Sequence, residues 1–383
     1  MNERISVNGP VNVLRLEGQI NGIDKHLYVF MDYHNNVAVQ TQCEDIESLD
    51  VMQYMYTNLK NSDKEQYYDF FLEISKSRSE TGQYINKGRY IDELMRFFSM
   101  QVNKKYKSLE NVRFHTIDER EHLKAEVNDL LDRIEHRILL CWNDAMIFEG
   151  DIPIFMDDLG ALKATINLLY KTLYINKKNN RKTPIEKFVF KIKEKYKHPK
   201  TKNVLKDLFE ANKASLEEIM KLITKMENML TTNQNLFLSK NKSVMKPYIH
   251  GIVKTSVFIP DGDKIYKLLQ EFRTDYDYLY ILCLYAYVML VDIYFMRRFI
   301  DKDYIMNGIV YTGMAHSVAY VYLLVKYCNF KITHSAYSKV TNEKLEKIIK
   351  STEYKNITEI EKILYPNYIM QCSKLDDFPR YFN

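Results

Sequence analysis

In the stretch YVFMDYHNN, Tyr28 to Asn36, an apolar run gives way to Asp32, Tyr33 and His34. A carboxylate beside an imidazole can fix the ring's tautomer and stabilise its protonated form, which general acid–base chemistry requires. Three further sets of residues suit the same chemistry. Glu73 ends the apolar run FFLE, His316 follows a glycine in YTGMAHS, and Arg297 and Arg298 adjoin in MRRF. Together they point to hydrolysis. A histidine–carboxylate pair would act on water, and an arginine would steady the developing oxyanion. His34, His316 and Glu73 also suit a divalent metal such as Zn, Mn or Co with open coordination positions.

Each of these residues has a plainer role open to it. Asp32 can cap a turn, His34 can be a loop histidine, and Glu73 can pair with a core arginine. His115, inside VRFHTID, reads as a buried, hydrogen-bonded histidine. Asp118 opens DERE, a good first helical turn, and His334 ends FKITH.

Elements must bring these residues together. VNVLRLEG and KHLYVFMD are strand-like runs around Asn21-Gly22, a hairpin signal because both residues tolerate positive φ. A helical pattern runs from Glu44 to Leu59. YYDFFLEI is strand-like, a helix covers Tyr90 to Val102, and VRFHTID is a strand. Long helical patterns fill the middle of the chain, with Pro184 a helix start. A helix through Tyr280 to Phe299 then leads to the strand Ile309 to Thr312, another helix, and FKITHS. The spacing predicts an α/β protein. Its central sheet is mixed but mostly parallel and flanked by helices, with a long helical insertion. The expected divisions are 1–120 and 261–383 for the two parts of the core and 121–260 for the insertion. In open parallel sheets ligands bind beyond the carboxyl ends of the strands, and there the polar residues fall.

Composition bounds the alternatives. The chain has 383 residues, 46% apolar and 27% charged, enough for a sizeable core and unlike a disordered protein. A net charge of +5 does not by itself imply nucleic acid. The five cysteines are scattered and form no CxxC pair, which reads as reduced thiols in the cytoplasm. The opening MNERISVNGP has no apolar leader. The most apolar run, Tyr278 to Val291, is shorter than the roughly 20 residues of a membrane helix and reads as a core helix.

A basic stretch, Lys177 to Lys206, holds 12 Lys or Arg and 2 Glu with aromatics interleaved. Lys187, Lys191 and Lys195 would be its phosphate contacts; the plainer reading is a solvated helix face. The expected partner is a small-molecule or peptide substrate, with self-association open, nucleic acid disfavoured and no membrane. No P-loop, GxGxxG, GxSxG or HExxH occurs.

The motif order resembles the superfamily of erythromycin esterases, ChaN-type haem-binding lipoproteins and TIKI/TraB-type proteases. MDYHNN matches its first motif through Asp32 and His34, FFLEI its second through Glu73, and YTGMAHS its closing motif through Gly313 and His316. Arg297 or Arg298 matches the family arginine. Met31 stands where the family has glycine, and Asp32 is shorter than the family glutamate. The resemblance implies a mixed sheet with a helical insertion and a hydrolytic site. RRFIDKDYI, YTGMAHS and FKITH also resemble proteins of mimivirus-like giant DNA viruses. That likeness implies the host cytoplasm, a viral factory or the virion. It also offers an alternative function, a structural or interaction protein with a degenerate site.

Overall fold

The hairpin at Asn21-Gly22 starts the main sheet. The computed structural model describes residues 5–34, 42–75, 88–102, 108–118, 121–144, 150–175, 183–193, 196–233, 262–379 and 381–382. Strands β2 (Asn12–Ile20) and β3 (Ile23–Asp32) pair antiparallel around a turn in which Asn21 has φ 53° and Gly22 φ 81°. Such a turn matches the twist of the strands it joins.

Four more strands complete the sheet: β5 (Tyr68–Ser75), β6 (Val112–Asp118), β7 (Asn307–Gly313) and β8 (Lys331–Ser335). The strand order is β6-β5-β7-β3-β2-β8. The first three pairings, from β6 to β3, are parallel, and β2 pairs antiparallel with both β3 and β8. The fold is therefore mixed α/β, with parallel pairing confined to one side of the sheet. A second, three-stranded sheet joins β4 (Leu49–Asp50), β1 (Ser6–Asn8) and β9 (Cys372–Lys374), with β1 central. Pairing of Leu49 and Asp50 with β1 delays the helix expected from Glu44, which runs instead over Val51–Asn61.

Helices cover both faces of the main sheet. On one face Tyr28, Phe30, Phe70 and Leu72 pack with Tyr54 and Leu59 of Val51–Asn61 and Leu94 and Phe98 of Tyr90–Val102. On the other, Phe71 meets Phe295 at 5.1 Å between centroids, and Phe295 meets Tyr320 at 4.2 Å. Those two partners belong to Gly262–Asp301 and Met314–Cys328. Buried Lys25 on β3 ties down the end of the first of these helices. Its Nζ donates to the carbonyls of Phe299 (3.1 Å) and Lys302 (2.8 Å), and also to that of Ile305. A cation here complements the helix's negative end.

The chain forms two compact units. One comprises Met1–Glu121, Phe190–Ala211 and Val288–Asn383 and holds the sheets; the other comprises His122–Val189 and Asn212–Tyr287. The second unit is helical. Within it Phe155 packs on Phe272 (5.4 Å), and Asn212 donates to the Ala286 carbonyl (2.7 Å). The helix Gly262–Asp301 is long and apolar enough to cross a membrane, but 67% of its most apolar window is buried within the protein.

Two of the five cysteines are not free thiols. Cys43 and Cys372 form a disulfide with Cα atoms 5.0 Å apart, which corrects the expectation of wholly reduced thiols. Their separation of 329 residues hid the pairing, which depends on β9 returning beside β1.

Candidate active site

Strands β3 and β7 end side by side, with Asp32 opposite Gly313; β5 lies across β7, with Leu72 opposite Tyr311. Side chains alternate along a strand. Asp32 thus shares a face with Phe30, while Glu73 shares the opposite face with Phe71. One side chain can reach both only by crossing the rim. His34 does so from a left-handed backbone, φ 58°, which few non-glycine residues adopt. Its ring passes over the end of β7 at Gly313, where a β carbon would stand 2.8 Å from Nε2. Nδ1 then lies 2.7 Å from Asp32 Oδ2, and Nε2 3.2 Å from Glu73 Oε2.

Glu73 sits in a cradle. Its Oε2 also accepts from the Gly313 N–H (2.8 Å) and the Thr312 hydroxyl (3.0 Å). Its Oε1 faces His316 Nε2 at 3.1 Å, and His316 Nδ1 meets Asp292 Oδ1 at 2.6 Å. His316 comes from the first turn of Met314–Cys328, directly after β7, and Asp292 from Gly262–Asp301. At the other end Gln371 donates to Asp32 Oδ1 (3.0 Å). Acids and imidazoles therefore alternate as Asp32–His34–Glu73–His316–Asp292. The His34 side chain is 32% exposed, whereas those of Asp32, Glu73, His316 and Asp292 are at most 8% exposed.

The chain favours protonated imidazoles. Burial pulls the His34 pKa down, but hydrogen bonds to Asp32 and Glu73 outweigh it and lift the value to about 10. Burial opposes the charges of Glu73 and Asp292 at His316, which also rises to about 10. Burial would raise Glu73, yet the His316 and His34 cations hold it well below its usual value. At neutral pH both rings are thus imidazolium ions and Glu73 between them is ionised.

This donor set does not fit a metal. Each imidazole nitrogen of His34 and His316 faces a carboxylate oxygen within hydrogen-bonding distance, which leaves neither ring a nitrogen turned toward a shared ion. Among the described residues no group of three or more His, Cys, Asp or Glu is placed to hold a metal ion. His34, His316 and Glu73, read in the sequence as ligands to Zn, Mn or Co, are here paired with one another and with Asp32 and Asp292.

Four of the residues singled out in the sequence therefore meet: Asp32, His34, Glu73 and His316. The arginines take other positions. Arg298 Nη2 donates to His115 Nδ1 (2.9 Å), and Arg297 lies over the Tyr196 ring at 5.4 Å from its centroid. His115 Nε2 meets Asp69 Oδ1 at 2.6 Å, the buried role its place within a strand suggested. His334 pairs with Arg15, which pairs with Tyr28, four residues short of Asp32 and across β2, so its strand stops below the rim. Lys187 and Lys191 are exposed on Pro184–Lys193, Lys195 lies outside the described residues, and Phe188 and Phe190 are buried, so they present no stacking surface for bases.

Sequence reasoning did not pick out Asp292 or Gln371 as site residues. Asp292 carried a signal, since a carboxylate in so apolar a helix needs a buried partner. Gln371 carried none.

The comparisons extend these observations. The chain is 30% identical to the uncharacterized protein R706 of Acanthamoeba polyphaga mimivirus, over 98% of this chain and 96% of that one. To the uncharacterized proteins R161 and R160 of the same virus it is 30% and 29% identical, over 99% and 98% of this chain and 98% and 97% of theirs. No solved structure matches it. The likeness to giant-virus proteins thus spans the whole chain, and the chain belongs to the family of unknown function DUF5847, which it matches over residues 5–383.

Proposed function

We propose that this protein is a hydrolase of ester or amide bonds in which His34 and Glu73 exchange a proton. The observation that carries this reading is His34 itself. It is the member of a buried acid–imidazole chain that reaches solvent, and both its nitrogens are held by carboxylates. In the first step the Nε2–H of His34 turns from Glu73 Oε2 to the substrate. Water takes the place of His34 on Oε2, beside the Gly313 N–H and Thr312 hydroxyl that stay, and passes a proton to it as the water oxygen attacks the carbonyl carbon. When the carbon–oxygen or carbon–nitrogen bond breaks, the leaving group takes the His34 proton. Glu73 then returns its proton to His34, and the site is restored. Protonated His34 also opposes the oxyanion charge, the role first given to arginine. His316, fixed by Asp292, keeps Glu73 weakly basic, so the borrowed proton is readily returned.

A screen of aryl and alkyl esters and of peptide amides tests this. Wild-type turnover should fall by about 10²- to 10⁴-fold in His34→Ala. A fully folded wild type that turns over nothing in the panel, or a His34→Ala variant as active as wild type, sinks the reading.

A second reading has one observation of its own. Tyr278, Ile281, Leu284 and Tyr285 leave an exposed apolar face on Gly262–Asp301. It fits an interaction protein of the virion or viral factory, with the rim serving as a polar clamp. Concentration-dependent assembly in light scattering, with no hydrolysis, would favour it.

A further inference from the structure

We propose that the Cys43–Cys372 cystine is a site of thiol–disulfide exchange whose redox state sets how firmly His34 is held. The inference rests on the geometry around Asp32 and His34, whether or not the site hydrolyses anything.

Access comes first. Both cysteines are partly exposed and both line a cavity of about 1050 Å³, together with Tyr337, Tyr368, Met370 and Lys374. A small dithiol has room to reach the sulfurs there. The remaining thiols are unsuited to exchange. Cys141 and Cys283 are buried, and burial raises both Cys283 and Cys328 to about 12, far from the thiolate that exchange needs.

The connection to the site comes next. Cys372 pairs with Asn8 in the small sheet, and the Cys43 N–H donates to Asn8 Oδ1 (2.7 Å), so one residue gathers both halves of the cystine. Gln371, directly before Cys372, is buried. Its backbone carbonyl accepts from Gly9 N–H (3.0 Å), and its Nε2 donates to the Gly9 carbonyl (2.8 Å) and to Asp32 Oδ1 (3.0 Å). Asp32 in turn holds His34 Nδ1. A short path thus runs from the sulfur of Cys372 through Gln371 and Asp32 to the imidazole. β9 has only three residues, and the cystine anchors the residue next to Gln371.

The exchange balances as follows. One thiolate of a dithiol attacks a cystine sulfur, the S–S bond breaks, and the displaced cysteine takes a proton from solvent. The second thiolate attacks the mixed disulfide and releases the other cysteine. The dithiol leaves as a cyclic disulfide, having passed two electrons to the protein.

The test uses the full-length native chain, titrated with dithiothreitol and, separately, with reduced glutathione. Mass spectrometry after alkylation locates the thiols, circular dichroism follows the fold, and NMR follows the ring N–H protons. The expected result is alkylation of Cys43 and Cys372 in the folded protein. The His34 Nδ1–H should then exchange with solvent at least about tenfold faster, while the His316 protons are unchanged. Gln371→Leu should reproduce that acceleration with the cystine intact, which keeps the test decisive if Cys372→Ser fails to fold. A cystine that opens only on global unfolding overturns the proposal. So does full reduction that leaves His34 exchange where it was.

Discussion

The protein contains two histidine–carboxylate clusters on the same face of β5, four residues apart, and they behave oppositely. At the carboxyl rim the charges that hold Glu73 down are those of His316 and His34. Toward the amino end, Asp69 takes Arg113 Nε and Nη2 at 2.8 and 2.6 Å, and His115 Nε2 at 2.6 Å. Arg298 fills the other side of His115. Burial lowers the His115 pKa, and the charges of Arg298 and Arg113 reinforce that against Asp69. His115 is therefore neutral, donating to Asp69 and accepting from Arg298 in a single tautomer. The difference lies in the cation. Guanidinium is permanently charged and neutralises the acid outright, leaving the imidazole nothing to do but bridge. Where imidazole must supply the positive charge itself, the acids hold both rings protonated.

The largest expected effect breaks the rim. Glu73→Gln removes the central charge while keeping the shape. Turnover should fall by about 10³-fold. The His34 and His316 pKa values should drop from about 10 toward the ordinary 6.5, and His115 should not move. Imidazole NMR titration reads all three rings at once; rim values that stay near 10 would refute the proton-sharing account.

The matching change at the other cluster is Asp69→Ala. It removes the buried acid that pairs with Arg113 and anchors His115, and should cost about 3 kcal/mol in urea unfolding. The rim should titrate as in wild type. A loss below about 1 kcal/mol would mean that Arg113 is held instead by its other contacts, the Tyr304 carbonyl and the rings of Tyr67 and Tyr304.

The sequence revealed these clusters unequally. Asp32, Glu73 and His316 were readable because apolar runs announce strands, and strand ends announce a rim. The hairpin was readable from Asn21-Gly22. Pairing partners were not. Whether an arginine on Gly262–Asp301 faces the rim or His115 depends on the helix's rotation against the sheet, and periodicity gave no purchase on the apolar stretch, Tyr278 to Met296, that leads up to them. The parallel order was legible only in part. The alternation of strands and helices implies crossovers, but β2 enters by a hairpin and β8 joins β2 at the edge, so neither can pair parallel there. The Cys43–Cys372 bond and Gln371 depend on the last strand returning to β1, a contact with no local signature.

The pH dependence of stability sharpens the comparison more gently. His34 and His316 have folded values of about 10, above the ordinary 6.5, so their contribution is whole below pH 6.5 and is lost as pH rises toward 10. Glu73 is depressed, so its contribution is present above its ordinary value of 4.5 and is lost as pH falls below it. Stability should therefore be greatest between these limits and decline steadily as pH rises toward 10. Urea midpoints across this range should show the alkaline decline in full in wild type and in Asp69→Asn, and a smaller one in Glu73→Gln, where Asp32 and Asp292 alone still hold the rings. An alkaline decline undiminished in Glu73→Gln would place its origin elsewhere.

The smallest effect tests the crossing itself. Gly313→Ala puts a methyl group 2.8 Å from His34 Nε2 and 3.4 Å from Glu73 Oε2, while the backbone of residue 313, at φ −56°, accepts alanine without strain. Stability should therefore change by less than about 1 kcal/mol. The His34 ring, however, must shift by a few tenths of an ångström and its bond to Glu73 must lengthen. Turnover should fall by about tenfold, and the His34 pKa should fall while that of His316 holds, because His316 reaches the other oxygen of Glu73. If both histidines fall together, the alanine has displaced Glu73 rather than His34, and the crossing of the rim is not what Gly313 serves.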